Sequence, residues 1–261
     1  MDHSPLLMEM TWPEIQKAIR EHRVLLFCVG AIEQHGPHLP TGVDVYLPME
    51  VALRTAQAVN AIVAPCTNYG YKSLLRSGGG PYFVGSIGMR GTTVIAMVKD
   101  ILSELISQGW RNLVVLDWHL EGIPFVFEGA DEAIREAPAG KDVKLVKVDN
   151  ICGLAMREHP ELQRRMFGDD FPGWAVEHAA INETSLMLAA RPDLVHMDRA
   201  VDGEPPQPFD YDVLPVPRSA APASGVFWKA TRASHEVGCA FMDALSDTLV
   251  QIVRKEFPVR E

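Results

Sequence analysis

Three short, unbroken apolar runs limit how this chain can fold: VLLFCVG at 24–30, AIVAP at 61–65 and NLVVLD at 112–117. Each is too short for a core helix, and unbroken apolarity marks a strand covered on both faces. A fourth run, DVKLVKVD at 142–149, alternates apolar with polar and predicts a strand near a sheet edge. Helical signals fall between them. Thr11 and Glu14 form a capping box, with Pro13 tolerated in the first turn of a helix running to about His22. Pro48 to Val59 predicts a second helix. The stripe Val94, Met97, Val98, Ile101, Leu102, Leu105 and Ile106 places a third over Thr92 to Gln108, with Gly109 as its stop. Pro124 to Glu136, Glu183 to Ala190 and Thr231 to Phe257 complete the set. Strands alternating with helices predict an α/β fold, with α/β/α layers around a mostly parallel sheet, as one domain over residues 1–261. Right-handed crossovers bring several strand ends to one sheet edge, where such folds bind ligands. Residues 67–91 read as long functional loops, the region after Ile151 as irregular, and about 201–222 as a Pro-rich surface arm.

Composition narrows the function classes. Apolar residues make up 47% of 261, enough for a sizeable core and too many for a disordered chain. The 24 basic and 34 acidic residues give a formal charge of -10, which disfavours nucleic acid or an anionic membrane as a partner. Cys28, Cys66, Cys152 and Cys239 are scattered and form no CxxC pair, so no disulfide framework is expected. The start MDHSPLLMEMTW has neither a basic region nor an apolar stretch of signal length. No window reaches the ~20 apolar residues of a membrane span. The expectation is a soluble, reduced, cytoplasmic protein.

Three clusters carry candidate chemistry. Glu33, His35, His38 and Asp44 follow the first apolar run. Asp117-Trp118-His119-Leu120-Glu121 follows the third, and Glu177-His178 stands with Glu183 close behind. In extended backbone His119 and Glu121 share a face and reach one centre. Imidazoles and carboxylates without thiolates suit Zn or Mn. Asp44, at the end of its loop, is the expected bridge of a two-metal site, which generates a nucleophile at neutral pH. ExH and HxE are weak motifs singly, and any one histidine here also reads as a hydrogen-bonded loop residue. Two such motifs, each directly after a buried strand, bring the metal reading level with that alternative. The run Ser77-Gly78-Gly79-Gly80 lacks a phosphate-loop pattern, so its glycines are expected to let a loop approach the site closely. No GxSxG elbow is present, which disfavours a serine hydrolase. Tyr69, Tyr71, Tyr82 and Phe83 suit core packing or a subunit contact.

The segments GAIEQHGPHLPTGVDVYLP, NYGYKSLLRSGGG, WHLEG, GWAVEHA, NETSLMLA and FDYDVLPV, in this order over nearly the whole chain, resemble the creatininase family. The resemblance implies a layered α/β fold, a hexamer, and two divalent ions, Zn or Mn, per subunit. It implies Glu33 and His119 as ligands of one metal, His35 and Glu121 as ligands of the other, and Asp44 as the bridge. Glu121 would also handle the proton of the attacking water, and His178 would protonate the leaving nitrogen. Ser77 and Trp174 would line the substrate pocket, and Glu177 would orient it.

Departures lie in the substrate shell. Creatininases carry Asn-Gly-His-Tyr-Glu where this chain has Asp117 to Glu121, so Leu120 replaces a substrate-contacting tyrosine. They also present a tryptophan after the strand at 142–149, where this chain has Asn150, Ile151 and Cys152. The expected function is ring-opening hydrolysis of a small polar cyclic substrate, with cyclic amide C–N cleavage by a metal-bridged hydroxide ahead. The alternatives are a C–C hydrolase opening a diketo-inositol (3-dehydro-inosose) ring, a puckered ring that Leu120 and the missing tryptophan fit better than a planar one, and a non-catalytic metal-binding protein.

Overall fold

The computed structural model describes residues 4–138, 142–171, 173–174, 177–204, 211 and 213–258. Four parallel strands form one sheet in the order β2-β1-β3-β4: β1 Leu25–Val29, β2 Ile62–Val63, β3 Asn112–Asp117 and β4 Lys144–Val148. In register, Val29 stands beside Asp117 and Leu116 beside Val148. The alternating strand β4 does lie at an edge.

Unbroken apolarity in β1 and β3 follows from cover on both faces. Leu26, Cys28, Val114 and Leu116 point into one core, and Leu25, Phe27, Leu113 and Val115 into the other. Each such aliphatic or aromatic side chain contributes about 1.5–3 kcal/mol when fully buried. One face is covered by α1 (Trp12–Arg20), α4 (Gly91–Ser107) and α5 (Ile123–Glu136). The other is covered by α2 (Val43–Val59), α6 (Ile151–Glu158), α7 (Pro160–Phe167), α8 (Ile181–Ala190) and α9 (His235–Glu256). A single-turn α3 (Leu75–Gly78) interrupts the long loops between β2 and α4. The capping box at Thr11 is present, and Ser234 caps α9 by accepting from the Val237 N–H. All four cysteines are free, and among the described residues no helix is long and apolar enough to cross a membrane.

Three expectations need correction. Pro48 does not open its helix: α2 starts five residues earlier at Val43, and Pro48 lies inside it. A proline there lacks the N–H that would have bonded the Asp44 carbonyl, so it reads locally as a helix start. Asp44 accordingly sits in the first turn of α2, not at the end of a loop. The stretch after Ile151 is not irregular but folds into α6 and α7, two short helices separated at His159-Pro160 and packed on α9. Of the Pro-rich arm, 205–210 and 212 lie outside the described residues. This includes part of FDYDVLPV, as does 175–176 within GWAVEHA. The described flanks of the arm include exposed Tyr211, Val213 and Leu214.

Candidate functional site

The site stands where the parallel strands end. β1 runs into the segment that carries Glu33 and His35, β3 into His119 and Glu121, and the first turns of α2 and α8 add Asp44 and Glu183. Glu33, His35, Asp44 and His119 are each at most 3% exposed. His35 Nδ1 lies 3.1 Å from the Glu33 carbonyl oxygen, which can only accept, so Nδ1 carries a hydrogen and Nε2 is the nitrogen whose lone pair a metal would take from the neutral ring. That Nε2 lies 3.6 Å from Asp44 Oδ1 and 3.5 Å from Glu183 Oε1. His119 turns Nδ1 to Glu33 Oε2 at 3.3 Å and to Asp44 Oδ2 at 3.4 Å. Its Nε2 lies 3.5 Å from Glu121 Oε2.

Two donor groups thus share Asp44: Glu33, Asp44 and His119, and His35, Asp44 and Glu183. Glu33 also lies with His35 and His178. Glu33 Oε1, His35 Nε2, Asp44 Oδ2 and His119 Nε2 are buried without hydrogen-bond partners. Buried polar atoms are rarely left so, and here several oxygens and nitrogens converge on common points. That fits divalent cations held by N and O donors. The pairing differs from the expected one. Glu183, not Glu121, stands beside His35, while Glu121 stands beside His119 and Ser77. The reason is backbone shape: extended conformation ends at His119, and Leu120–Gly122 forms a tight 3-10 turn that swings Glu121 to the wall. Glu183 carried a readable signal, an acidic residue in a first helical turn close after Glu177-His178. It escaped the ligand set because its partners come from distant parts of the chain.

The electrostatics follow from packing like and unlike charges without water. In the metal-free chain burial pushes Asp44 up, but the His35 and His119 imidazoles outweigh it and hold the carboxyl well below the usual range. Glu33 is likewise raised by burial and brought below its ordinary value by His178 and His119. His35 and His119 are pushed down by burial and lifted well above the ordinary range, the first by Glu183 and Asp44, the second by Glu121 and Glu33. His38 differs. Burial, then the neighbouring His35, lowers it to about 4, and its Nε2 meets the Thr184 hydroxyl at 2.9 Å. It is a neutral prop between two segments, outside both donor groups.

Beside the donor groups opens a cavity of about 240 Å³, which Ser77, Leu120, Trp174, Glu177 and His178 all line. Ser77 donates a short hydrogen bond to Glu121 Oε1, which also accepts from the Leu74 N–H at 3.2 Å. Gly78 explains the glycine run: a Cβ there would fall 1.6 Å from Glu33 Oε1. Trp174 packs edge-on against Phe167 and Phe171, so it is both plug and cavity wall. Glu177 Oε1 accepts from the Asn182 N–H at 2.9 Å and Glu183 Oε2 from the Ala179 N–H at 2.6 Å, two carboxylates at the N-terminus of α8.

Burial, and after it the Glu183 carboxylate, pushes Glu177 up to about 8. The folded chain therefore holds a proton that the unfolded chain releases near the ordinary 4.5, and stability falls as pH rises through that window. The raised imidazoles of His35 and His119 contribute in the same direction at higher pH. In chelator-treated protein, denaturant titrations from about pH 5 to 8.5 should show falling stability, with a shallower fall in Glu177→Gln. Equal slopes in the two proteins would contradict a protonated Glu177.

A family profile described as creatinine amidohydrolase matches residues 8–253. The chain is 40% identical to a creatinine amidohydrolase of Pseudomonas putida over 261 residues, 99% of each chain. It is 26% identical to a 3-dehydro-scyllo-inosose hydrolase of Thermotoga maritima, over 94% of this chain and 81% of that one. A solved structure described as creatininase Mn superimposes with a TM-score of 0.93 at 38% identity, over 98% of this chain and 100% of the other. A mutant creatininase described as Zn-Zn type gives 0.93 at 38%, over 99% and 100%. The chain belongs to the creatininase family.

Proposed function

We propose that this protein is a two-metal hydrolase that opens a small polar cyclic amide, with creatinine as the leading substrate. One observation carries the reading: two buried N/O donor groups share Asp44 at the wall of a cavity that also presents Glu121 and His178. Glu33, Asp44 and His119 hold one divalent ion, and His35, Asp44 and Glu183 the other. The donor chemistry suits Zn or Mn, and relatives are described with both metals. When bound, such a pair would supply a nucleophilic water at neutral pH and a Lewis acid for the attacked carbonyl.

The chain's own groups do the rest. Glu121, steadied by the Ser77 hydroxyl and the Leu74 N–H, takes the proton of the attacking water. His178 gives a proton to the leaving nitrogen. Glu177 fixes the α8 end that carries Glu183 and so orients the pocket. Trp174 and Leu120 are apolar walls of the cavity. A non-catalytic metal protein would need neither the cavity nor the flanking acid and base.

A second reading, C–C hydrolysis of a diketo-inositol ring, has specific support. Leu120 stands 47% exposed where the family resemblance puts a tyrosine, and Asn150, Ile151 and Cys152 line the cavity where it puts a tryptophan. Losing one aromatic stacking partner costs roughly 0.5–1.5 kcal/mol, and an unpaired polar atom roughly 1–3. We further propose one catalytic unit over the whole chain, a cytoplasmic location and a hexamer. Exposed Tyr82, Val84 and Ile87 in the long loops support burial between subunits.

Chelation should abolish turnover, and Mn or Zn should restore it. By elemental analysis Glu183→Gln should lose about one of two metal equivalents. Glu121→Gln should keep both, with kcat lowered by about 10²–10⁴-fold. The reverse pattern would restore Glu121 as the ligand beside His35. Creatinine, other cyclic amides and 3-dehydro-inososes should be assayed side by side on Mn-loaded protein. Creatinine opening is the expected result, turnover confined to inososes would move the protein to the C–C class, and failure on every ring would defeat the ring-opening reading. Size-exclusion chromatography with light scattering should show a hexamer, and a monomer at micromolar concentration would refute it.

A further inference from the structure

Gln34 stands between Glu33 and His35 and belongs to neither donor group. It is 6% exposed, and its amide is fully engaged. Oε1 accepts from the Gly36 N–H at 2.9 Å. The amide nitrogen donates to the carbonyl oxygens of Gly78 at 3.0 Å and Gly225 at 2.9 Å. The opposite amide orientation would set an oxygen against two carbonyl oxygens and a nitrogen against an N–H, so the orientation is determined. Both amide hydrogens are thereby spent.

His178 Nε2 lies 2.9 Å from the backbone carbonyl oxygen of Gln34, which can only accept. It also lies 3.0 Å from the Gln34 amide nitrogen, which has no hydrogen left to give it. Nε2 must therefore carry a hydrogen in the neutral ring as well as in the imidazolium. Among the described residues no hydrogen bond takes up Nδ1, and His178 lines the cavity. From the other side the Phe227 N–H donates to the His178 carbonyl at 3.0 Å, and the Phe227 ring meets the imidazole edge-on at 5.4 Å. Close approach of the 225 segment needs glycine: φ at Gly225 is +74°, and a Cβ would fall 2.0 Å from Gln34 Oε1.

We propose that Gln34 is a positioning residue that holds His178 as the Nε2–H tautomer, making Nδ1 the ring nitrogen that exchanges a proton with substrate. The proton leaves Nδ1 of the imidazolium for the leaving atom, and the N–H bonding pair stays on Nδ1 as its lone pair. The ring returns to the neutral form that the Gln34 carbonyl already holds, so no tautomer exchange intervenes between turnovers. The direction of transfer rests on the function proposed above. The tautomer rests on geometry alone.

The test is ring ¹⁵N NMR of the full, zinc-loaded chain labelled at histidine, with the His178 signal identified by its loss in His178→Asn. At a pH where the ring is neutral, the spectrum should show Nε2 protonated and Nδ1 bare. An Nδ1–H form or a mixture would overturn the proposal, whether or not any substrate is turned over. Gln34→Met keeps the length and the backbone carbonyl but removes the amide contacts to Gly36, Gly78 and Gly225 that hold that carbonyl against the ring. It should give mixed tautomers, unchanged zinc content and a kcat about 10–100-fold lower with KM little changed. Zinc loss in that variant would make Gln34 a support of the ligand segment and overturn the positioning role. If the variant fails to fold, the wild-type spectrum alone decides.

Discussion

The structure depends on one costly arrangement: carboxylates of Glu33, Asp44 and Glu183 packed against the imidazoles of His35 and His119, almost without water. An ionised group in such surroundings is tolerable only when paired or when it holds a cation. Each imidazole here faces at least two carboxylates, and Asp44 faces both imidazoles. The parallel sheet makes the arrangement possible. Adjacent parallel strands β1 and β3 end level with one another, Val29 beside Asp117, so the segments that leave them start from one edge. Two apolar cores, one on each face, fix that edge.

The chain positions its donor side chains by helix ends and tight turns more than by strands. Asp44 and Glu183 occupy first helical turns, where exposed N–H groups favour a negative charge. Asp117, which replaces the asparagine of the family pattern, shows what one further buried charge requires. Burial pushes it up to about 6, and Lys147 on the neighbouring strand, 3.4 Å away, opposes the shift. Lys147 also pairs with Asp149, which lines the cavity. Asp117 itself lines the cavity, and the His119 imidazole also opposes its shift, so the change at this position acts on the pocket wall directly and stands beside one donor group.

How much of this was legible in the sequence depends on whether the signal was local. Buried strands announced themselves by unbroken apolarity, and the edge strand β4 by alternation. The helix at 91–107 was readable from its stripe within one residue at each end. Pro48 misled because a proline's local signature is the same at a helix start and at an interior position that the fold tolerates. Helices α6 and α7 were hidden because each is only eight residues long and is held by packing on α9, a contact with no local trace. In the site, the residues of the three clusters other than His38 stand at the cavity or in the donor groups, yet the partition among them was not readable. ExH and HxE spacing suggested pairs along the chain, whereas the observed groups join residues far apart, such as His35 with Glu183.

The same distinction separates what this protein keeps of its family from what it changes. The donor groups are interlocked: moving Asp44 disturbs two imidazoles, and a side chain at Gly78 would collide with Glu33. Substitution there is costly in several contacts at once. Leu120 is half exposed, on a short turn, and its side chain carries no polar atom to satisfy. Asp149 and Asn150, on the cavity wall, are exposed as well. A pocket built on such positions changes its preference without disturbing the centre that activates water. Identity to a creatinine amidohydrolase over nearly the whole chain is therefore strong evidence about the reaction and weaker evidence about the ring. The side chains that recognise a ring are the ones the fold constrains least.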